Sequence, residues 1–130
     1  MNYFSQAPAP PLDEYVEYLW LLRDAPSHVR ERIVPSGTLE LVVNLREDEI
    51  RIHDVSVPGR VACHSGTVVS GAYGGFFVID PRQHGSMLGV HFRPGGAFPF
   101  LGVPAGELAD AHVDLRTLWG RSGDELREQL

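Results

Sequence analysis

The stretch MLGVHFRPGGAFPFL, residues 87–101, divides the chain into two parts of different character. Its first seven residues alternate between two faces, as in a half-buried β-strand. One face is apolar and carries Leu88, Val90 and Phe92. The other face carries Met87, Gly89, His91 and Arg93. Pro94 and the two glycines after it end the strand, because proline has no N–H to donate and glycine permits a tight turn. The apolar residues 97–101 then predict a short, packed helix.

The chain before this stretch is typical of an antiparallel sheet. The clearest strand is Thr38–Leu45, which has an apolar face and a second face that carries Glu40 and Asn44. A short helical turn that runs into a strand is predicted over residues 12–23. Further strands are predicted over 29–34, 49–53 as the hairpin partner of Thr38–Leu45, 60–64, 67–72 and 76–80. Seven or eight short strands separated by Gly, Pro and Asp turns indicate a mainly β fold, an antiparallel barrel or sandwich of cupin-like or jelly-roll-like type.

The chain after this stretch is typical of short α-helices. Pro104 is suited to a first helical turn, Asp114 to capping a helix that Gly120 ends, and Ser122 with Glu125 to a capping box. The last helix is only about two turns long at Leu130, and so short a helix is marginal alone, which predicts that a parent protein continues. The predicted organisation is a flexible Pro- and Ala-rich arm over 1–11, a barrel or sandwich over 12–93, and a helical part of the same domain over 94–130.

Composition excludes several classes of protein. The 130 residues suit one domain with one core, and the net charge of −6 opposes contact with nucleic acid by this chain. No apolar run approaches the ~20 residues that cross a bilayer, and the N-terminus lacks the pattern of a signal peptide, so the expected location is the cytoplasm. The single Cys63 cannot form an internal disulfide and is predicted to be a buried, small apolar residue.

Three stretches resemble the N-terminal domain of AraC-type transcriptional regulators. They are IVPSGTLELVVNL at 33–45, SGTVVSG at 65–71 and, most specifically, GVHFRPGGAFPFLGVP at 89–104. With residues 114–120 and the last helix, the resemblance covers most of the chain from Leu12 onward. It implies a β-barrel or sandwich followed by helices, which senses a signal and passes it to DNA-binding helices through a linker or a dimer interface. No DNA-binding domain follows Leu130, so DNA binding is attributed to the parent protein only.

Polar residues on the strand faces are candidates for a ligand site. Glu40, Asn44, His91 and Arg93 line a pocket if the apolar faces of their strands pack on the helices. In that pocket Arg93 would pair with a ligand carboxylate or with Glu40, and His91 and Asn44 would give directional hydrogen bonds. The alternative is that these faces are exposed to solvent, or that Glu40 and Arg93 form a structural ion pair. The predicted pocket walls are Trp20, Phe76 and Phe98, although aromatic residues also serve as core.

A metal site and a catalytic centre are not predicted. The six histidines include no His-x-His pair, so a metal would require distant residues such as His64, His84 and His91 to converge. No cofactor is predicted, and Gly-x-Ser-x-Gly is absent. The apolar stripe of the C-terminal helices has two interpretations, packing on the sheet or a dimer interface; it comprises Leu115, Leu118, Trp119 and Leu126.

These observations lead to one main hypothesis and two alternatives. The main hypothesis is a non-enzymatic domain of an AraC-type regulator that senses a small-molecule effector and forms a homodimer. The first alternative is a cupin-like barrel enzyme with a histidine-bound metal, which the absence of His-x-His opposes. The second alternative is an oligomerisation module without a ligand, which an interior filled by side chains would support.

Overall fold

The computed structural model describes residues 2–23, 32–33, 38–53, 59–71, 77–79, 86–109 and 111–130. Within these residues the chain forms two antiparallel sheets and short C-terminal helices. The strands are β1 (Asn2–Gln6), β2 (Val16–Arg23), β3 (Arg32–Ile33), β4 (Glu40–Asn44), β5 (Ile50–His53), β6 (Val61–His64), β7 (Thr67–Ser70), β8 (Phe77–Ile79), β9 (Ser86–Phe92) and β10 (His112–Asp114). The α-helices are α1 (Phe98–Leu101), α2 (Leu115–Trp119) and α3 (Arg121–Glu128). The described residues also contain the 3₁₀ turns Leu12–Glu14 and Ala105–Leu108.

The large sheet has six strands in the order β1-β2-β9-β4-β7-β10. Its outer face is apolar and packs against the C-terminal helices, because removing that surface from water is the main force available to a small domain. The buried residues of this cluster are Val16, Leu39, Leu41, Val69, Phe92, Ala97, Leu101, Leu108 and Leu115. The apolar faces predicted for β4 and β9 therefore lie under the helices.

The small sheet has four strands in the order β3-β8-β5-β6 and packs on part of the inner face of the large sheet. Ile50 and Ile52 of β5 meet the inner-face residues of the large sheet in a second buried cluster, whose other members are Leu22, Val42, Val68 and Met87. The predicted mainly β fold with C-terminal helices is confirmed, in the form of two facing sheets. Over the described ranges the strands do not close into a barrel.

The predicted hairpin between β4 and β5 is wrong. β4 pairs with β7 and β9 in the large sheet, whereas β5 pairs with β6 and β8 in the small one. The chain changes sheets between them around Asn44, which is fully buried. Its Nδ2 donates to the carbonyl oxygen of Glu49 at 2.9 Å, and its Oδ1 accepts from the backbone N–H of Arg46 at 3.0 Å and of Glu47 at 3.3 Å. The alternating pattern of β5 identifies a strand but not its partner.

Both ends of the chain contain a strand that the sequence did not predict. Residues 2–6 form the edge strand β1, which pairs along its whole length with β2, instead of belonging to a flexible arm. His112–Asp114 forms β10, which pairs with β7 inside the part predicted to be helical. Three residues are too few to show a period of two, so β10 has no clear sequence signal.

Two predicted helix caps also differ. Helix α3 begins at Arg121 after Gly120, and no side chain caps it, so Ser122 lies inside the helix instead of before it. Asp114 occupies the N-cap position of α2 but its side chain makes no capping bond. Its Oδ1 accepts instead from the backbone N–H of Ser65 at 2.8 Å, which ties β10 to the turn before β7.

The turn after β9 follows the prediction. Gly95 has a φ of +75°, a region that glycine adopts without penalty. A Cβ at Gly96 would lie 2.1 Å from the carbonyl oxygen of Tyr15, so only glycine lets the turn approach the start of β2. Cys63 is exposed on β6, because β6 is an edge strand, and its predicted burial is wrong. Among the helices of the described chain, none is long and apolar enough to cross a membrane.

Candidate functional site

A row of polar side chains crosses the inner face of the large sheet. Residues directly opposite each other in antiparallel strands point to the same face. Tyr18 of β2 lies opposite His91 of β9, His91 opposite Glu40 of β4, Glu40 opposite Ser70 of β7, and Ser70 opposite His112 of β10. Five neighbouring strands thus place one polar residue each along a single line.

Trp20 reaches this row from β2 by lying across β9. Its indole Nε1 donates to Glu40 Oε1 at 2.5 Å, although β9 separates the two strands. The residue opposite Trp20 is Gly89, and a Cβ there would lie 1.9 Å from the indole ring. Gly89 therefore provides the space in which the indole lies. On its other side, the ring stacks on Tyr3 of β1 with centroids 6.4 Å apart.

His91 is the most enclosed ionisable side chain of the row, with 8% of its surface exposed. Its ring stacks on Tyr18, with centroids 4.7 Å apart and planes at 13°. Nε2 lies 3.3 Å from Thr38 Oγ1 and 3.5 Å from Glu17 Oε2. Nδ1 is buried and has no hydrogen-bond partner among the described residues; the nearest carboxylate oxygen, Glu40 Oε1, is 3.9 Å away.

Glu17 belongs to the site because β2 is irregular there. Val16 pairs with Phe92 and Tyr18 with His91, so two steps along β2 match one step along β9. Such a bulge re-aims a side chain that regular alternation would place on the other face. We refer to Glu17, Tyr18, Trp20, Glu40 and His91 as the inner-face site.

Burial dominates the electrostatics of this site. It raises the pKa of Glu40, and the Trp20 hydrogen bond and nearby His91 oppose that rise. Burial also raises the pKa of Tyr18, and the negative charge of Glu40 adds to the effect, so its phenol stays protonated as a donor. Among the residues that the structure describes, neither Glu17 nor Glu40 forms an ion pair with an arginine. The inner-face site therefore collects negative charge and hydrogen-bond acceptors in a partly dry environment.

A second polar group lies at the β10 end of the row. The rings of His64 in the small sheet and His112 in the large sheet are 5.6 Å apart. His64 Nδ1 is 3.8 Å from Asp114 Oδ1. Burial, followed by the charge of His64, lowers the pKa of His112 to about 4. The described side chains include no group of three or more potential ligands that could hold a metal.

The structure brings together some of the predicted site residues and separates others. Glu40, His91 and Trp20 are in contact at the inner-face site. Asn44 lies at the opposite end of β4, where its side chain organises the turn to β5. Arg93 is exposed and its Nε donates to the backbone oxygen of Asp13 at 2.8 Å, so it does not pair with Glu40. Arg93 is thus a neighbour of the inner-face site and not part of it.

Arg93 and Phe98 line a separate groove between the end of β9 and α1. Its volume is about 120 Å³, and it is lined by Thr38, Leu39, Arg93, Pro94, Gly95, Ala97, Phe98 and Ala105. Pockets for drug-sized ligands measure roughly 300 Å³ or more, so this groove alone suits only a small group. Thr38 links the groove to the inner-face site through its contact with His91. The third predicted wall residue, Phe76, lies outside the described residues.

The apolar stripe of the C-terminal helices packs within the molecule. Leu115 is fully buried in the outer-face cluster, and Leu118, Trp119 and Leu126 pack against it while half-buried. Trp119 Nε1 also donates to the carbonyl oxygen of Phe100 at 2.7 Å. These contacts agree with the interpretation that the stripe packs on the sheet. A dimer contact through the same residues stays a prediction.

Sequence reasoning missed Glu17, Tyr18 and Thr38 as partners of His91. Tyr18 alternates with Trp20 and Leu22 along β2, but its position opposite His91 depends on the pairing of two distant strands. The role of Glu17 depends on the bulge, for which the sequence has no signal. Ser70 lies on the predicted strand over 67–72, but its position opposite Glu40 depends on the pairing of β4 with β7. His112 was missed because β10 was not predicted.

The family described as a domain of unknown function (DUF6597) matches residues 5–114, which include the whole inner-face site. No curated protein and no solved structure matches the chain. Because the match covers most of the 130 residues, the chain belongs to the DUF6597 family.

Proposed function

We propose that this chain is a non-enzymatic effector-sensing domain of an AraC-type transcriptional regulator, and that its effector binds at the inner-face site. The observation that carries the sensing proposal is His91 Nδ1, a buried nitrogen that has no hydrogen-bond partner within the described parts of the chain and faces the carboxylate of Glu40. Buried polar atoms in native proteins are nearly always hydrogen-bonded, so such an atom is a natural contact for a ligand.

Trp20 connects the site to the periphery of the sheet. Its indole contacts Glu40 on one side and Tyr3 of the edge strand on the other. A ligand at Glu40 therefore weakens or strengthens the hydrogen bond from Trp20 to Glu40. Because Trp20 stacks on Tyr3, the ligand also changes the position that β1 prefers at the edge of the sheet. The mechanism is a population shift whose size is limited by the difference in ligand affinity between the two arrangements.

The assignment to AraC-type regulators rests on the sequence resemblance, above all on residues 89–104. The parent protein then binds DNA through a region other than this chain, acts in the cytoplasm and forms a homodimer. The edge strand supports a dimer contact, because β1 carries no charged residue and its Tyr3 and Phe4 are 57% and 58% exposed.

An NMR screen tests the sensing proposal. The protein has two tryptophans, so its spectrum has two indole N–H signals, from Trp20 at the site and from Trp119 beneath α1. A panel of amines, carboxylic acids, sugars and nucleosides, each up to 10 mM, is added to the full chain. At least one class is expected to shift the Trp20 signal saturably while Trp119 stays unchanged. A folded protein whose Trp20 signal responds to no class contradicts sensing at this site.

Isolation of the native protein tests the regulator proposal. An antibody against this chain is used to purify the endogenous polypeptide from its host, and its mass, oligomeric state and bound DNA are measured. A dimer of a longer polypeptide that retains specific DNA is expected. An endogenous product without DNA affinity contradicts the assignment.

A further inference from the structure

We infer that the inner-face site binds the ammonium group of a small primary amine, between His91 Nδ1 and Glu40 Oε1. This inference rests on the proposed ligand-binding role of the same site and names the chemical class of the ligand. Three observations carry it: the distance between two facing acceptors, the charge of two carboxylates that pair with no arginine among the described residues, and the aromatic rings beside them.

The two acceptors face each other at a separation that one donor group can bridge. The 3.9 Å between Nδ1 and Oε1 is too long for a hydrogen bond between them. A nitrogen about 2.9 Å from each atom would bond to both through two of its N–H groups. A proton on Nε2 can be directed to Thr38 Oγ1 and Glu17 Oε2, which leaves Nδ1 as an acceptor.

The charge of the site favours a cation over a neutral donor. The side chain of Glu40 is 20% exposed, and an ionised carboxylate at that depth is costly unless it is paired. Its contacts among the described residues are the indole of Trp20 and the imidazole of His91. Glu17 adds a second carboxylate on the other side of the imidazole. An alcohol has one donor and no charge, whereas an ammonium group has three donors and a positive charge.

The aromatic rings suit the rest of such a ligand. Tyr18 covers the face of His91, and Trp20 and Tyr3 extend the apolar surface toward the edge of the sheet. These rings can cover a short hydrocarbon chain, and their faces also attract a cation. The adjacent groove of about 120 Å³ limits the ligand to a small molecule if the chain extends toward Thr38.

Four probes that share a short hydrocarbon chain and differ in the head group test the inference by NMR at pH 7.5 on the full chain. They are n-butylammonium, n-butanol, butyltrimethylammonium and butyrate. n-Butylammonium is expected to shift the Trp20 indole signal saturably and to leave Trp119 unchanged. n-Butanol and butyltrimethylammonium, which lack the charge and the N–H donors respectively, are expected to bind at least about tenfold more weakly, because charge-assisted hydrogen bonds are the strong ones.

Two variants locate the binding. Glu40→Gln keeps an oxygen that accepts from Trp20 but removes the charge, and it should weaken n-butylammonium binding about tenfold. Glu17→Gln is a second test at a side chain that is 49% exposed, where folding is not at risk, and a loss of about threefold is expected because exposed charges contribute less. Glu107→Gln, on the exposed 3₁₀ turn, is the matched control and should leave binding unchanged.

The outcomes separate this inference from the proposed function. Equal binding of n-butanol or of butyltrimethylammonium, or tighter binding of butyrate, would overturn the primary-amine class while leaving a ligand site at Trp20 intact. A response of Trp20 that is unchanged in Glu40→Gln and Glu17→Gln would overturn the assigned contacts. If no probe shifts Trp20 in the folded protein, the amine inference fails, and the wider screen of ligand classes decides the sensing proposal separately.

Discussion

The position of Trp20 depends on the absence of a side chain at Gly89. Replacing Gly89 with Ala places a Cβ 1.9 Å from the indole, inside its van der Waals radius, so the ring must move away from Glu40. Alanine ordinarily suits a strand better than glycine, but overpacking here should lower the free energy of unfolding by about 2 kcal/mol. Urea unfolding measures the loss, and the Trp20 indole signal reports the broken bond.

Gly106 supplies the control for this substitution. A Cβ at Gly106 meets nothing within 4 Å, so Gly106→Ala should change the free energy of unfolding by less than about 0.5 kcal/mol. Equal stability of Gly89→Ala and wild type, with an unchanged Trp20 signal, would show that the indole does not lie over β9.

For single residues, the sequence predicts which face of a strand a side chain occupies better than it predicts which other side chains it contacts. Alternation placed Glu40 and His91 on the polar faces of their strands, because the side-chain period of a strand is two. Asn44 shares the face of Glu40, yet it lies four residues further along β4 and serves the turn. Distance along the strand, and which strand lies beside it, decide which members of a polar face meet.

The connection between β4 and β5 is the element on which the two-sheet arrangement depends. Asn44 is fully buried there, and its side chain makes three hydrogen bonds to the backbone of residues 46, 47 and 49. Asn44→Ala removes all three and should lower the free energy of unfolding by about 2 kcal/mol, less than their sum because water can reach the exposed turn. Chemical denaturation measures this difference.

Ser122→Ala is the comparison for this element. A true N-cap serine would contribute about 1 kcal/mol, but α3 starts at Arg121 and has no side-chain cap. Loss of the Ser122 hydroxyl should therefore change the free energy of unfolding by less than about 0.5 kcal/mol. A larger effect for Ser122→Ala than for Asn44→Ala would mean that the sequence-predicted capping box is present and that the turn at Asn44 contributes little.

Local patterns predicted the existence of most strands but not their partners. β4, β7 and β9 have clear alternation or apolar runs, and these strands are found where they were expected. The placement of β5 in the other sheet, the bulge beside Tyr18 and the pairing of β1 with β2 are all non-local. Nothing within a window of ten residues carries that information, because register depends on which apolar faces meet in the folded chain.

The two sheets meet at a pair of histidines as well as at their apolar core. His64 lies on β6 of the small sheet and His112 on β10 of the large one, with Asp114 beside His64 and Ser70 opposite His112. Protonation of this histidine pair at low pH can therefore change the stability of the contact between the two sheets. The lowered pKa of His112 gives the sign of that effect.

Acidification should destabilise the protein through His112. The unfolded chain protonates this histidine near 6.5, but the folded chain resists protonation until about pH 4, so the unfolded state gains the proton first. This part of the stability is present above pH 6.5 and is lost as the pH falls toward 4. One pKa unit corresponds to about 1.4 kcal/mol, which sets an upper limit of about 3 kcal/mol. Urea unfolding of wild type and His112→Gln at pH 7.5, 5.5 and 4.5 measures it.

Wild type should lose more stability than His112→Gln over this range, whatever their difference at pH 7.5. His64→Gln is expected to lie between them, because it removes the repelling charge but leaves His112 half-buried. Parallel pH profiles of wild type and His112→Gln would contradict the lowered pKa of the half-buried His112. A steeper profile in His64→Gln than in wild type would mean that His64 stabilises the junction when charged, through Asp114 at 3.8 Å, more than it repels His112.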